Sequence, residues 1–181
     1  MPVRRDWDAH SAIAGLELEA WSGRVWRFHR RVYDALDAGG SLRVSGRYHQ
    51  APNQFQATWR AIYTALTPET ALGEVLRHFT AELLPGLNRY RLTEVEVALT
   101  GVIDCRSAPA MGVEPSELTD DYEFVTTRAI ATASIERGAE AILVPSATGL
   151  GDNLVVFPDQ LQASSKMVIV GGRDPRLFVH R

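Results

Sequence analysis

Short apolar runs recur along the chain and are separated by polar or glycine-containing segments. Their apolar side chains are either consecutive or alternate with polar ones, which is typical of β-strands. The predicted strands lie at residues 25–28, 61–65, 92–104, 141–144, 154–157 and 167–170.

Other segments repeat their apolar residues with the period of an α-helix. Thr67-Pro68-Glu69 is typical of a helix start, because a hydroxyl caps the first turn, proline follows and an acid comes next. This helix is predicted to end near residues 85–86, with Ala71, Leu72, Val75, Leu76, Phe79 and Leu83 on one face. Two further helices are predicted at 7–21 and 119–137, and residues 33–55 are predicted to be mostly loop.

Strands and helices alternate without an internal repeat or a linker, so the pattern predicts one mixed α/β (α+β) domain over residues 1–181. The predicted helix in residues 1–24 is an N-terminal extension of that domain. A chain of 181 residues is long enough to bury a core of its own.

Composition narrows the classes of function. No run approaches the roughly 18 apolar residues that a membrane span needs, and the polar N-terminus lacks the apolar segment of a signal peptide. Cys105 is the only cysteine, which excludes an intrachain disulfide and a cysteine-based zinc site. We therefore expect a cytoplasmic protein without membrane contact.

The charge balance argues against nucleic-acid binding, because a net charge of −3 offers no excess of cations to a polyanion. Of the 19 basic residues, 18 are arginine and only Lys166 is lysine. An anion bound here would therefore contact planar guanidinium groups, which can donate two parallel hydrogen bonds.

The common catalytic motifs are absent. There is no phosphate-binding loop, no dinucleotide-binding glycine fingerprint and no zinc-protease motif, and the five histidines lack metal-ligand spacing. We therefore expect no metal and no cofactor, and each histidine is more typical of a surface or hydrogen-bonded side chain.

Two arginines stand in positions that need an explanation. Arg27 lies inside an apolar strand pattern, and Arg47 follows Gly46 in the predicted loop. A buried guanidinium needs an anion or several acceptors. A bound anion and a structural ion pair are both compatible with these positions.

Glu74 lies roughly 135° from the centre of the apolar stripe of its helix, so periodicity alone predicts exposure to solvent. The neighbouring Gly73 costs about 1 kcal/mol relative to alanine inside a helix. One use for such a glycine is to let another segment approach the helix. In residues 144–154, small, hydroxyl-bearing and glycine residues could bring backbone N–H groups to a ligand, or form a plain turn.

Together these features resemble the RES domain family over about residues 25–170. Tyr48 and His49 differ from the family, which usually has tryptophan and asparagine there, and the loop before Tyr63 is long. The residues before Val25 have no clear counterpart. The matching segments are Trp26-Arg27-Phe28, Gly46-Arg47-Tyr48-His49, Ile62-Tyr63-Thr64-Ala65, Ala71-Leu72-Gly73-Glu74, Val95-Glu96-Val97, Val102-Ile103-Asp104, Leu143-Val144-Pro145-Ser146-Ala147 and residues 151–159.

The resemblance implies a toxin of a type II toxin–antitoxin pair, with a fold similar to ADP-ribosyltransferase and diphtheria-toxin catalytic domains. Its substrate would be NAD⁺, degraded by hydrolysis or phosphorolysis, and its protein partner an Xre-like antitoxin. A transferase that modifies a specific protein target remains an alternative, and so does an inactive NAD-binding module. The acceptor (water, phosphate or a protein side chain) stays open.

The family motifs also imply which residues act. Cleaving the nicotinamide–ribose bond creates positive charge on the ribose, which a carboxylate stabilises, while arginines suit the pyrophosphate and tyrosine suits a flat ring. Carried over residue by residue, the catalytic set is Glu74, Arg47 and Ser146, and the substrate-binding set is Arg27, Tyr63, Tyr48 and Asn153.

Overall fold

The computed structural model describes residues 6–51, 59–77 and 86–178. These residues combine strands and helices, as the pattern predicts. The strands are β1 (Leu18–Arg30), β2 (Ile62–Ala65), β3 (Tyr90–Asp104), β4 (Ala141–Pro145), β5 (Asp152–Val156) and β6 (Lys166–Arg173). The α-helices are α1 (Ala9–Ala14), α2 (Pro68–Leu76), α3 (Pro115–Thr119) and α4 (Val125–Glu136).

The strands form a β-barrel core. β1 lies antiparallel to β3 over nearly its whole length, from Leu18 opposite Ile103 to Arg30 opposite Tyr90. The strand order β1-β2-β5-β4-β3 then returns to β1, because β1 pairs with both β2 and β3. β6 extends the barrel wall along the N-terminal part of β3.

The barrel closes weakly at one seam. β1 and β2 share a single register pair, Trp26 opposite Ala65, whereas β2 pairs with β5 along its full length. The two strands therefore diverge on either side of that pair, and the cleft described below opens beside this seam.

Two large apolar clusters hold the barrel and its helices together. One fills the barrel with side chains such as Val95, Leu143 and Leu154. The other lies between the barrel wall and helices α1 and α4, where Ile13 and Ile130 pack among strand residues. None of the helices in the described ranges is both long and apolar enough to cross a membrane.

The predicted helix at 7–21 is wrong in its second half. Only Ala9–Ala14 is helical, and its first turn is capped by Asp8, whose side chain accepts hydrogen bonds from the N–H groups of His10 and Ser11. From Leu18 the chain forms β1, which continues through Gly23 and includes the shorter strand predicted at 25–28. Pairing with β3 outweighs the weak helical pattern, a nonlocal effect that periodicity does not register.

The predicted helix at 119–137 begins later than expected. The side chain of Asp120 accepts hydrogen bonds from the N–H groups of Tyr122 and Glu123, at 2.7 and 2.9 Å, and this turn separates α3 from α4. The predicted end is confirmed, since the chain leaves α4 at Gly138 with φ of +90°.

The predicted start of α2 is confirmed, because Thr67 Oγ1 accepts from the N–H of Thr70 and Pro68 is the first helical residue. The remaining strands are confirmed within a few residues of their predicted ends. The predicted continuation of α2 over residues 78–85 and the part of the predicted loop at 52–55 lie outside the described residues.

Candidate active site

A cleft of about 500 Å³ opens beside the seam between β1 and β2. Its walls come from the two strands, from α2, from residues 44–48 and from the segment before α4. Aromatic rings and charged groups line it together. The lining residues include Trp26, Phe28, Val44, Arg47, Tyr48, Tyr63, Glu74, Asp121, Phe124 and Asn153.

The carboxylate of Glu74 is held on one side only. Its Oε1 accepts hydrogen bonds from Ser146 Oγ at 2.7 Å, Asn153 Nδ2 at 2.7 Å and the N–H of Ala147 at 3.1 Å. Oε2 accepts no hydrogen bond within the described part of the chain, and its nearest cation is Arg77 Nη1 at 3.5 Å. The carboxylate is therefore fixed in orientation and keeps one oxygen for a ligand.

The loop after β4 brings these donors to the helix. Its chain reversal is closed by the N–H of Ser146 donating to the carbonyl of Gly151, and Gly149 has φ of +69°. A Cβ on Gly73 would lie 3.0 Å from Leu150 Cδ1 and 3.2 Å from Thr148 Cγ2. Gly73 thus permits the close approach of the loop to α2. The loop also donates hydrogen bonds to Glu74, from Ser146 and Ala147.

Glu74 lines the cleft together with Ala71 and Val75 of the same helix, while Leu72 is buried. Periodicity alone predicts open solvent for Glu74, but its side chain is only 26% exposed. The residue therefore faces a cleft that part of the apolar stripe also lines.

Arg47 reaches the cleft from the loop before β2. Its Nη1 donates to the carbonyl of Leu118 at 3.0 Å, and its guanidinium lies 5.5 Å from the ring centre of Phe124. Its Nη2 lies 3.3 Å from Asp121 Oδ1. Asp121 also contacts the guanidinium of Arg77, so the two arginines share one carboxylate.

Tyr63 is the centre of a hydrogen-bonded chain. Its hydroxyl oxygen accepts from the N–H of Tyr48 at 2.9 Å, and it lies 2.9 Å from His49 Nδ1. Because His49 Nε2 must donate to the carbonyl of Val44, at 2.7 Å, the neutral ring accepts the Tyr63 proton at Nδ1. The hydroxyl of Tyr63 thus fixes the Arg47 segment, and its ring lines the cleft.

Burial keeps the hydrogen-bonded side chains of Tyr48, Tyr63 and His49 in their neutral forms. It raises the pKa of Tyr63 and of Tyr48, so both phenols keep their protons at neutral pH. It lowers the pKa of His49, with the charge of Arg128 acting in the same direction. His49 therefore stays neutral, which its place as acceptor from Tyr63 requires.

Arg27 lies apart from Glu74. It lines a neighbouring hollow, and its guanidinium donates to the carbonyls of Ala35 at 2.5 Å and Asp37 at 2.7 Å. Burial lowers its pKa, although the two backbone acceptors and the nearby carboxylates of Asp34 and Asp37 offset part of the penalty. The structure thus satisfies this arginine with several acceptors, and its contact with substrate stays a prediction.

Of the predicted site residues, the structure brings six together and leaves Arg27 outside. Ser146 is buried and contacts the cleft through Glu74. The amide of Asn153 donates to Glu74, while its Oδ1 is buried without a hydrogen-bond partner in the described residues. The grouped residues are Glu74, Arg47, Ser146, Tyr48, Tyr63 and Asn153.

Sequence reasoning missed three residues at the site: Asp121 and Phe124 line the cleft, and Arg77 pairs with Glu74 and Asp121. Arg77 could have been found from its position three residues after Glu74, which places both on one helix face. Asp121 and Phe124 precede α4, and no local sequence pattern marks them as site residues. Only the packing of the folded chain brings them to the cleft. Among the described residues, no cluster of His, Cys, Asp and Glu side chains could hold a metal ion.

Comparison with known proteins gives a family and a fold. The chain resembles one from the crystal structure of the M. tuberculosis MbcT–MbcA toxin–antitoxin complex, with a TM-score of 0.77 and 24% identity over 94% of each chain. No curated protein sequence gives a significant match. The family model described as RES domain matches residues 24–179. Since that match spans most of the chain, this protein belongs to the RES domain family.

Proposed function

We propose that this protein is the toxin of a toxin–antitoxin pair and that it cleaves the nicotinamide–ribose bond of NAD⁺. One observation supports the chemistry most directly. The Glu74 carboxylate is fixed by three donors on Oε1 and lines a cleft together with aromatic rings and Arg47.

A comparison within the molecule supports a functional reading of Glu74. The buried Glu140 accepts hydrogen bonds on both carboxylate oxygens, from Thr100 and Gly101 on Oε2 and from the N–H of Gln162 on Oε1. That carboxylate is fully used in joining chain segments. Within the described residues, Glu74 Oε2 accepts no hydrogen bond and has only the Arg77 guanidinium nearby, at 3.5 Å, as expected of a group that meets a ligand.

The proposed reaction needs few groups. When the bond between the ribose C1′ and the nicotinamide nitrogen breaks, the electron pair leaves with nicotinamide, which departs as a neutral molecule. Positive charge develops on the ribose, and the negative charge of Glu74 stabilises it. Water or phosphate then bonds to C1′ and releases its proton to solvent. Because nicotinamide leaves without needing a proton, no strong general acid is required.

The other cleft residues fit the rest of NAD⁺. The ring of Tyr63 offers a flat apolar face to nicotinamide, and Arg47 offers N–H groups to the pyrophosphate. Ser146 and Asn153 act through Glu74, by fixing its orientation. We also propose, from the family resemblance, that the fold is similar to that of ADP-ribosyltransferase domains.

The partner proposal depends on family and fold. The similar M. tuberculosis structure is a toxin–antitoxin complex. By analogy, we expect an antitoxin protein of the Xre-like class to bind and silence this chain in the cytoplasm.

Product analysis tests the reaction. The purified chain is incubated with NAD⁺, with and without phosphate, and products are identified by NMR and mass spectrometry. Free nicotinamide with ADP-ribose indicates hydrolysis, and ADP-ribose 1″-phosphate indicates phosphorolysis. NAD⁺ binding without any product would overturn the proposal and favour an inactive module.

Label transfer tests the transferase alternative. With labelled NAD⁺ and cell lysate, label that stays on one protein band would favour modification of a specific target. In cells, expression without an antitoxin should stop growth while NAD⁺ falls, because all of metabolism shares this substrate. Arrest with an unchanged NAD⁺ pool would contradict NAD⁺ degradation.

A further inference from the structure

An ion network at the cleft includes two side chains, Asp121 and Arg77, to which the proposed reaction assigns no role. Asp121 places its carboxylate between two arginines, with Oδ1 3.3 Å from Arg47 Nη2 and both oxygens in contact with Arg77 Nη2. Arg77 in turn lies beside the free oxygen of Glu74. The four side chains alternate in charge along one wall, negative, positive, negative and positive.

Arg77 has donor capacity to spare in this network. Its Nη1 is buried and has no hydrogen-bond partner within the described residues. The anion nearest to it there is Glu74 Oε2, at 3.5 Å. An unpaired buried donor on a charged group is costly. A ligand oxygen that approached between Glu74 and Asp121 would satisfy it.

Each arginine also has a contact that does not involve Asp121. The backbone N–H of Arg77 donates to the carbonyl of Gly73 at the end of α2, and its guanidinium lies 3.5 Å from Glu74 Oε2. Arg47 donates to the carbonyl of Leu118 and lies over the ring of Phe124. Both guanidinium groups therefore keep one partner besides the Asp121 carboxylate.

Asp121 itself sits on a turn. It lies between α3 and α4, in a segment outside both helices, and its side chain is 39% exposed. A carboxylate that spans two guanidinium groups has the charge sign and the spacing of oxygens that a phosphate would present there. A phosphate group bears more negative charge than a carboxylate and has more oxygens to reach Arg77 Nη1.

We infer that Arg47 and Arg77 form a phosphate subsite that the Asp121 carboxylate fills in the free protein, and that a phosphate group displaces Asp121 when it binds. The identity of the natural phosphate, as pyrophosphate of the dinucleotide or as an acceptor phosphate, rests on the proposed function. The subsite itself does not.

Direct binding tests the subsite without any turnover. Inorganic pyrophosphate and inorganic phosphate are titrated separately into the full chain by calorimetry. Because Asp121 competes with the ligand, Asp121→Asn should tighten binding of at least one anion by about fivefold or more, and Arg77→Gln should weaken it by about tenfold.

A matched control separates competition from a general loss of negative charge. Asp159 also pairs with an arginine, Arg60, and its side chain is 41% exposed, but it does not line the cleft. Asp159→Asn should leave anion binding unchanged. If Arg77→Gln lowers the melting temperature strongly, Arg77→Lys keeps the charge but loses the forked donors, and it should still bind less tightly than the natural chain.

The outcomes are distinct from those for NAD⁺ cleavage. Tighter anion binding in Asp121→Asn supports the subsite even if no NAD⁺ is cleaved. Unchanged or weaker binding in that variant means that Asp121 is a fixed structural partner of the arginines, and it overturns the inference. If turnover is present, a lower KM for NAD⁺ in Asp121→Asn assigns the subsite to the dinucleotide, and a lower KM for phosphate assigns it to the acceptor.

Discussion

Glu74 has an unequal pair of carboxylate oxygens, and this inequality decides what the residue can do. Three donors hold Oε1, so the side chain has little freedom to rotate. The residue lines a cleft whose walls also carry aromatic rings. A fixed charge in such a place stabilises a developing positive charge more than a mobile, solvated one, because it needs no reorganisation during the reaction.

Glu74→Gln is expected to keep the fold and lose most of the turnover. The amide oxygen can still accept from Ser146 and Asn153, and the volume is unchanged, so the melting temperature should stay close to that of the natural chain. Loss of the negative charge should lower kcat by about a hundredfold to a thousandfold. NAD⁺ turnover and thermal melting are measured together.

The same substitution elsewhere on α2 is the control. Glu69 lies in the first turn of that helix and is exposed. Glu69→Gln should therefore leave turnover near normal. If Glu74→Gln also retained normal turnover, Glu74 would be an ordinary surface residue and the proposed mechanism would lose its central charge.

At the scale of elements, the segment of residues 44–49 is shaped by one close contact. Gly46 pairs with His49 in an isolated bridge, and a Cβ on Gly46 would lie 2.6 Å from His49 Cε1 and 2.8 Å from the Tyr63 hydroxyl. Arg47 is the next residue. Any displacement at Gly46 therefore moves the arginine that lines the cleft.

Gly46→Ala is expected to destabilise the fold and lower turnover together. Overpacking of this kind costs about 1–3 kcal/mol, because neither the His49 ring nor the Tyr63 ring can move without losing its hydrogen bonds. A protein of this size would then melt several degrees lower, at about 2–4 °C per kcal/mol. Thermal melting and NAD⁺ turnover are the measurements.

Gly40 provides the matched control for that variant. A Cβ there would meet nothing within 4 Å, and the residue lies in the short 3₁₀ helix Gly39–Leu42 before the same segment. Gly40→Ala should leave both measurements close to normal. Equal effects of the two substitutions would show that the contact at Gly46 does not limit the segment.

The elements that sequence could predict are those whose signals are local. The start of α2 follows from Thr67 and Pro68 alone, and the end of α4 follows from Gly138. Two predictions are wrong for a similar reason. Residues 18–21 form a strand and not a helix because β1 pairs with β3. Helix α4 begins later than predicted because the side chain of Asp120 forms a turn before it. Neither interaction has a periodic trace in the sequence.

The candidate site divides in the same way. The RES motifs predict Glu74, Arg47 and Ser146 as site residues, and the structure brings the three near one another, although periodicity alone predicts that Glu74 is exposed to solvent. Asp121 could not be assigned, because only the packing of the segment before α4 brings it to Arg77. A charged residue on an exposed turn has no signal of its own in the sequence.

At the scale of the whole molecule, the buried His49 and the half-buried His29 link stability to pH. Burial lowers the pKa of His49 and of His29 from the usual value near 6.5. The unfolded chain therefore binds more protons than the folded one as pH falls below about 6.5, so the free energy of unfolding decreases there. Above that pH the two histidines are neutral in both states, and the free energy of unfolding is not lowered by their protonation.

His49→Gln should weaken this pH dependence. Between pH 7.5 and 5.5 the natural chain is expected to lose melting temperature, and the variant should lose less of it, with the remainder due to His29. A slope identical in the His49 variant and the natural chain would show that protonation of His49 does not oppose folding.

The surface around the cleft bears on how a partner could silence the protein. Exposed apolar side chains lie beside its mouth, among them Val44, Tyr122 and Val125. Val44 lines the cleft, and the other two flank Asp121 and Phe124 along the chain. Exposed apolar groups beside a charged cleft are typical of a protein-binding site.

The antitoxin is therefore expected to cover the cleft that contains Arg47 and Glu74. Tyr122 is 91% exposed, so Tyr122→Ser removes nothing that the free protein uses and should leave NAD⁺ turnover unchanged. If its ring is buried by the antitoxin, the variant should need about thirtyfold more antitoxin for inhibition, the loss typical of an interface hot spot. Val168→Ser, at an exposed position of β6 that does not line the cleft, should leave inhibition unchanged. A complex in which the cleft stays open while turnover is absent would mean that the antitoxin acts by another route.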